Sequence, residues 1–282
     1  MRIFLSSLIL LSLLLLFSCN PTGNVEPENG APTLTQETQE AAYPSEKHFT
    51  VDPEAILKDF MTWYSYTYYT IHLAQDFIGL DADSATLSKA EFLTRLQTGN
   101  VVPFKIKEQN NTPVYQLYKL QRPDKDIQAN IRQLAATEME HHKMEGRELP
   151  DYAFTDINGR KYNKANTKGN VLLLKCWFIN CVACVKEFPE LNKLVDNYRD
   201  KKDLLFISLA MDTKEKLVSF LKKKPFSYAV VPEAEGYMSG KLNVSAYPTH
   251  ILVDRAGKIV KVTNTVEDII PFVKRQFAET TL

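Results

Sequence analysis

The stretch Lys175-Cys176-Trp177-Phe178-Ile179-Asn180-Cys181-Val182-Ala183-Cys184-Val185-Lys186-Glu187-Phe188-Pro189 decides how the chain is read. It opens in an apolar run over residues 171–178 that reads as a strand. It closes in a segment where Glu187, Leu191, Leu194 and Val195 recur at helical spacing. A Cys-x-x-Cys lies between the two. That places Cys181 at or just before the first helical turn, where unpaired backbone N–H groups and the helix dipole favour an anion. A thiolate is such an anion, and helix starts in Cys-x-x-Cys motifs lower a cysteine pKa from about 8.5 to roughly 3.5–7.5. The first cysteine is expected to be exposed and the second, one turn in, screened.

Three chemistries use a Cys-x-x-Cys. Half of a zinc site needs a second Cys pair or a His-x3–5-His, and the chain has neither. A structural disulfide across three residues closes a tiny loop and gains little stability. Redox chemistry uses the whole strand–CxxC–helix context and is the reading favoured here.

The same residues resemble the active site of thioredoxin-fold proteins, in particular the TlpA/ResA-like envelope thiol–disulfide oxidoreductases. Trp177, Cys181, Cys184, Glu187, Phe188 and Pro189 match that family's W-x3-C-x-x-C-x-x-E-F-P run, and the likeness extends over residues 149–277. Asn180 replaces the usual aromatic before the first cysteine and Ala183 the usual proline between the two. Lys175 stands where cytosolic thioredoxins hold a buried Asp. These departures leave the redox potential open. The resemblance implies an α/β thioredoxin fold: a central mixed β-sheet flanked by helices, with an N-terminal β-hairpin extension. It implies catalysis by Cys181 and Cys184, and a proton-shuttling or pKa-tuning role for Glu187, which lies one turn beyond Cys184. It also implies a substrate-binding surface around Trp177 and Tyr247-Pro248, with the proline cis. No metal and no cofactor beyond a redox-active Cys181–Cys184 disulfide is implied.

Outward from that centre, residues 1–19 form a targeting segment. Arg2 is its charged start, residues 3–17 its apolar core, and Leu16-Phe17-Ser18-Cys19 its end, which resembles a bacterial lipobox. On that reading Cys19 is the lipidated first residue of the mature protein, anchored to the membrane with its domain facing the periplasm. An ordinary signal peptide is the alternative; the apolar run is short against the ~20 residues a bilayer span needs. Residues 20–48 are rich in Pro, Gly, Asn, Thr and Glu and read as a disordered tether.

Residues 49–145 read as a smaller α+β region of unassigned role. Asp52-Pro53-Glu54 is a helix start. Ile56, Phe60, Trp63 and Tyr64 follow helical spacing, but the aromatic, Thr-rich run 63–69 leaves a strand open as the alternative. Its tyrosines read as core rather than as a binding face. Ser88 to Glu91 is a capping box opening a helix through Gln97. Residues 101–107 and 114–120 read as a hairpin turning at 109–112. A helix over about 125–143 presents Ile127, Ile131, Leu134 and Met139 on one face. His141 and His142 point about 100° apart on it and read as a solvated helix end.

In residues 146–282 the expected order is a hairpin turning at Asn158-Gly159, the central strand, the CxxC and its helix. A strand over 204–210, a crossover helix over 213–223, a short strand and a short helix follow. Strands on either side of a turn at 254–257 and a closing helix over 266–277 complete the chain.

The 282 residues carry no net charge, with 44% hydrophobic and 24% charged residues. That argues against nucleic acid as a partner, which needs a concentrated positive face. The partners implied are client proteins with disulfides, a membrane electron donor or thioredoxin-like reductant, and a membrane through the lipid anchor. Val182 and Ala183 offer nothing to stabilise a thiolate strongly, so reduction is favoured over oxidation. Two other classes stay open. A copper metallochaperone would add His250 to the two cysteines. A thiol peroxidase wants Pro and Thr upstream of its cysteine, and Phe178-Ile179-Asn180 supplies neither.

Overall fold

A computed structural model describes residues 49–278. The leader ending at Cys19 and the tether of residues 20–48 lie outside the described residues.

The N-terminal region starts with helices α1 (Pro53–Ile56) and α2 (Phe60–Thr70). The side chain of Asp52 accepts the Glu54 amide at 3.0 Å. The helical spacing is interrupted at residues 57–59, where Asp59 starts a new helix by accepting the Thr62 amide at 2.8 Å. The run for which a strand was open is therefore helical: Trp63 and Thr67, four apart, are the residues it buries. The reading of the tyrosines as core needs correction. Tyr64, Tyr68 and Tyr69 are 41%, 60% and 75% exposed. Only Tyr66 of that group turns inward, accepting the Lys105 amide at 2.9 Å and lying against the Phe104 ring.

Strands β1 (Ile78–Leu80) and β2 (Thr86–Leu87), helix α3 (Lys89–Gln97), strands β3 (Val101–Gln109) and β4 (Thr112–Lys119), and helix α4 (Lys125–Met144) follow. The sheet order is β2-β1-β4-β3. The two short strands were not foreseen, because runs of three and two residues carry no periodicity. Gly79 in β1 is needed for close approach, since a Cβ there would lie 2.7 Å from the Phe92 ring. The capping box of Ser88 and Glu91 is formed. Asn110 and Asn111 turn the β3–β4 hairpin with φ of +50° and +60°, the left-handed pair a two-residue turn requires. Helices α2, α3 and α4 cover the sheet through one core that includes Trp63, Phe92, Leu93, Phe104 and Ile131.

The C-terminal region opens with the hairpin β5 (Ala153–Thr155) and β6 (Lys161–Asn163). It continues with β7 (Val171–Trp177), α5 (Val182–Lys186), α6 (Phe188–Asn197), β8 (Leu204–Ala210), α7 (Lys214–Leu221), β9 (Ala229–Val231), α8 (Glu235–Gly240), β10 (Thr249–Val253), β11 (Ile259–Thr263) and α9 (Val266–Phe277). The five-stranded sheet has the order β11-β10-β7-β8-β9. Strands β7, β8 and β9 are parallel; β10 is antiparallel to both its neighbours. This is the mixed sheet and hairpin extension of a thioredoxin fold. All seven residues of β7 are buried, as a strand covered on both faces must be. Leu172, Leu174 and Cys176 belong to one core cluster, Val171 and Leu173 to another on the opposite face.

The helix after the CxxC is not continuous. It stops at α5 and restarts at α6, because Pro189 has no N–H to bond the Val185 carbonyl.

The link from α4 runs along the outer edge of β11. Gly146 donates to Ile259 O at 2.8 Å, Ile259 to Arg147 O at 2.8 Å, and Leu149 to Gly257 O at 2.9 Å. Helix α4 also rests on β11. His141 is consequently buried, 3.7 Å from Glu138 across its Nδ1, so the reading of the histidine pair as a solvated end is overturned.

Candidate active site

Cys181 is the N-cap residue of α5, and its sulfur accepts the Cys184 amide at 3.2 Å. The two cysteines are joined in a disulfide. Cys181 is 8% exposed and Cys184 is fully buried. The order of accessibility is as expected, but the first cysteine is far more covered than an exposed nucleophile would be. Trp177, Phe188, Phe178, Ile179 and Tyr247 pack around the pair, while Val182 between the cysteines stands 82% exposed.

Trp177 does not reach the surface. It is fully buried, its ring edge-on to Phe188 with centroids 5.0 Å apart, so its expected place among substrate-binding residues is corrected to packing beneath the dithiol. The Tyr247–Pro248 bond is cis. The Tyr247 ring lies 5.6 Å from that of Phe178, and the Pro248 carbonyl accepts the Asn264 side chain at 2.6 Å.

A buried polar row crosses the sheet under this site. Lys175 of β7 pairs in register with Ser208 of β8 and His250 of β10, and His250 with Thr263 of β11. All four are buried. Glu187, at the break between α5 and α6, reaches down to this row. One carboxylate oxygen is bonded to Lys175 Nζ and to His250 Nε2, the latter at 3.1 Å. The other accepts the Val266 amide at the start of α9, at 3.0 Å.

The charges follow from this geometry. Burial opposes ionisation of Glu187, but hydrogen bonding from His250 and the Lys175 ammonium outweigh it and hold the carboxyl below its usual range. Burial pulls Lys175 down, with Glu187 opposing. Burial and the Lys175 charge pull His250 down, so its imidazole is neutral, with the proton on the nitrogen facing the carboxylate. Cys176 points to the opposite core, where burial pushes its thiol up to about 12.

Lys175 and His250 were visible in the sequence as single polar residues in apolar strands. Their meeting over Glu187 was not, because it depends on β7–β10 pairing between residues far apart in the chain. Asn264 carried no signal at all. His250, the ligand a copper site would require, is committed to Glu187. Among the described residues no three His, Cys, Asp or Glu side chains are grouped to hold a metal.

A mixed sheet with a disulfide at the start of the helix after its central strand defines a thioredoxin-like domain of the thiol–disulfide oxidoreductase class. Residues 146–262 match the AhpC/TSA family. Among characterised proteins, the thiol-disulfide oxidoreductase ResA of Bacillus thuringiensis is 29% identical over 137 residues, 47% of this chain and 79% of that protein. The thioredoxin-like protein YneN of Bacillus subtilis is 26% identical over 117 residues, 41% of this chain and 68% of that protein. Among solved structures, the thioredoxin domain of a thiol-disulfide oxidoreductase from Bacteroides vulgatus aligns with 46% of this chain and 96% of its own at 24% identity and a TM-score of 0.43. Residues 49–145 lie outside the family match. No helix among the described residues is long and apolar enough to cross a membrane.

Proposed function

We propose that this protein reduces disulfides in client proteins on the outer side of a bacterial membrane, with Cys181 as nucleophile and Cys184 as resolving thiol. The observation that carries the reading is the bonded Cys181–Cys184 pair at the start of α5, with the Cys184 amide directed at the Cys181 sulfur. A thiolate in that place accepts the same hydrogen bond.

The Cys181 thiolate attacks one sulfur of a client disulfide. A Cys181–client bond forms, the client bond breaks, and the released client thiolate takes a proton. Cys184 then loses its proton and attacks the Cys181 sulfur, which releases the second client thiol and closes the Cys181–Cys184 disulfide. Two electrons and two protons pass to the client. A membrane electron donor or thioredoxin-like reductant restores the dithiol. The backbone beside cis-Pro248 offers the client an extended strand to pair with. Glu187 acts as a tuning residue: three donors occupy its carboxylate, so it sets the charge beneath Cys184 rather than delivering a proton by itself.

Placement outside the cytoplasm rests on residues 1–19, with lipidation of Cys19 as the anchor. Cys19→Ala should release the protein from the membrane fraction.

Cys184→Ser tests the central claim. The variant should accumulate Cys181-linked mixed disulfides with client proteins, and none should form in Cys181→Ala. A redox potential well below −200 mV is expected; one near about −120 mV would mark an oxidant instead. Peroxide consumption that survives loss of Cys184, or tight stoichiometric Cu(I) binding by the reduced protein, would replace this reading with the peroxidase or the metallochaperone.

A further inference from the structure

The N-terminal region supplies no residue to the thiol–disulfide exchange, yet besides resting α4 on β11 it grips one short segment near the site. Asp268, in the first turn of α9, is the residue held there. Gln75 Nε2 donates both to the Asp268 carboxylate and to its backbone carbonyl, each at 2.9 Å. His72 Nδ1 lies 3.4 Å from the same carboxylate oxygen. The loop that carries them is itself held, since the His72 amide donates to the Tyr115 hydroxyl at 3.1 Å, and that hydroxyl donates to Thr70 O at 3.3 Å.

The gripped segment, residues 264–268, has three other attachments. Thr265 caps α9, its hydroxyl accepting the Asp268 amide at 3.2 Å and donating to the Asp268 carboxylate at 2.9 Å. The Val266 amide is a donor to Glu187. The Asn264 side chain donates to Pro248 O at 2.6 Å and to Thr249 Oγ1 at 3.1 Å. Five consecutive residues thus present one donor to the Glu187 carboxylate, another to the cis-proline loop, and a carboxylate to the N-terminal region.

The Asp268 contacts are polar and partly buried. Burial opposes ionisation of Asp268, but hydrogen bonds from His72, Gln75 and Thr265 hold its carboxyl below the usual range. The Asp268 hydrogen bond in turn raises His72, against burial.

We propose that His72 and Gln75 are positioning residues of the redox site, acting through Asp268 to hold the start of α9 where it serves both Glu187 and the Pro248 loop. The N-terminal region is then part of the redox machinery rather than an appended module. This rests on the dithiol reading of Cys181 and Cys184.

The test uses the whole chain and needs no client. The equilibrium of the Cys181–Cys184 pair with glutathione, and the pH profile of iodoacetamide alkylation in the reduced protein, are measured for Gln75→Ala and Asp268→Ala. Arg275→Ala is the control: it removes an exposed contact between the same two regions, Arg275 to Asp76 at 3.1 Å, near the far end of α9. The expected result is a change of about threefold or more in the glutathione equilibrium for Gln75→Ala and Asp268→Ala, the size one hydrogen bond carries. A displaced alkylation profile accompanies it, while Arg275→Ala stays close to the unsubstituted protein. Should Asp268→Ala fail to fold, Gln75→Ala decides alone. Unchanged equilibrium and profile in folded Gln75→Ala overturn the proposal, as does an equal shift in Arg275→Ala, which would mean general loosening. A pair that never interconverts in the unsubstituted protein overturns the redox reading as well, whereas normal cycling with unmoved variants overturns the positioning role alone.

Discussion

In the four-stranded sheet, the buried side chains of β3 and β4 are apolar apart from Gln116, which donates to Ser84 at 2.9 Å. In the five-stranded sheet, Ser208, Lys175, His250 and Thr263 lie side by side out of water. Both sheets are covered by helices, and both have ample Val, Leu and Phe to choose from. A buried polar group costs free energy unless it is bonded, and a buried charge costs more. The N-terminal sheet limits that cost to one hydrogen-bonded amide; the redox domain accepts a whole row under one helix break. A continuous row of buried polar side chains here marks where chemistry is done; the buried polar groups of the N-terminal region, Thr67, Gln116, Glu138 and His141, form no such row across its sheet.

Lys175→Met puts the strongest strain on this contrast. It leaves the Glu187 carboxylate buried without its cation, and breaking a buried pair costs about 3–5 kcal/mol. Urea unfolding near pH 7 should show the loss. In the intact protein Glu187 is depressed, so its contribution is present above about 4.3 and fades as pH falls. In the variant burial acts unopposed by the ammonium, so the deficit should shrink on acidification as Glu187 takes a proton. Adding Glu187→Gln should recover part of it. Equal losses at both pH values would mean that Lys175 only fills space.

Leu93→Ala probes the other side. Leu93 is fully buried in the N-terminal core. Truncation should cost about 2–5 kcal/mol in the same unfolding measurement, with no pH dependence across the carboxylate range. At temperatures where the variant is folded, its redox potential should match the parent.

Asp268→Asn sharpens the boundary between the two regions with a smaller effect. His72 is raised, so its share of the pair is full below about 6.5 and is lost as pH rises through its folded value. Asp268 is depressed, so its share is full above about 3.9 and is lost as pH falls. The difference in melting temperature between parent and variant should therefore peak between roughly pH 4 and 6.5 and decline on either side. A flat difference would remove the ion pair from the account.

Much of the redox domain was legible because its signals are local. The run Leu204–Ala210 is apolar at every position but Ser208, and its observed bounds are those read from the sequence. Cys181 and Cys184 needed only their spacing and flanks. What escaped depends on partners distant in the chain. Lys175 and His250 become a site through strand pairing. His141 looked like a solvated helix end and is buried because α4 lies on β11. The helix over 182–197 breaks because one missing N–H outweighs a sound apolar periodicity. Tyr64, Tyr68 and Tyr69 of α2 face outward because Trp63 and Thr67 already fill the inward stripe, a choice that composition does not reveal.

The stitching of residues 146–149 to Ile259 and Gly257 bears on how the molecule can be cut. A fragment begun at residue 150 keeps every residue of the CxxC site but strips the rim of β11, leaving amides and carbonyls open to any strand that comes by. Such a fragment should run as mixed oligomers on gel filtration, and one begun at residue 145 should run as a monomer or dimer. The short connector is a selvedge: it keeps the cloth from fraying into its neighbour.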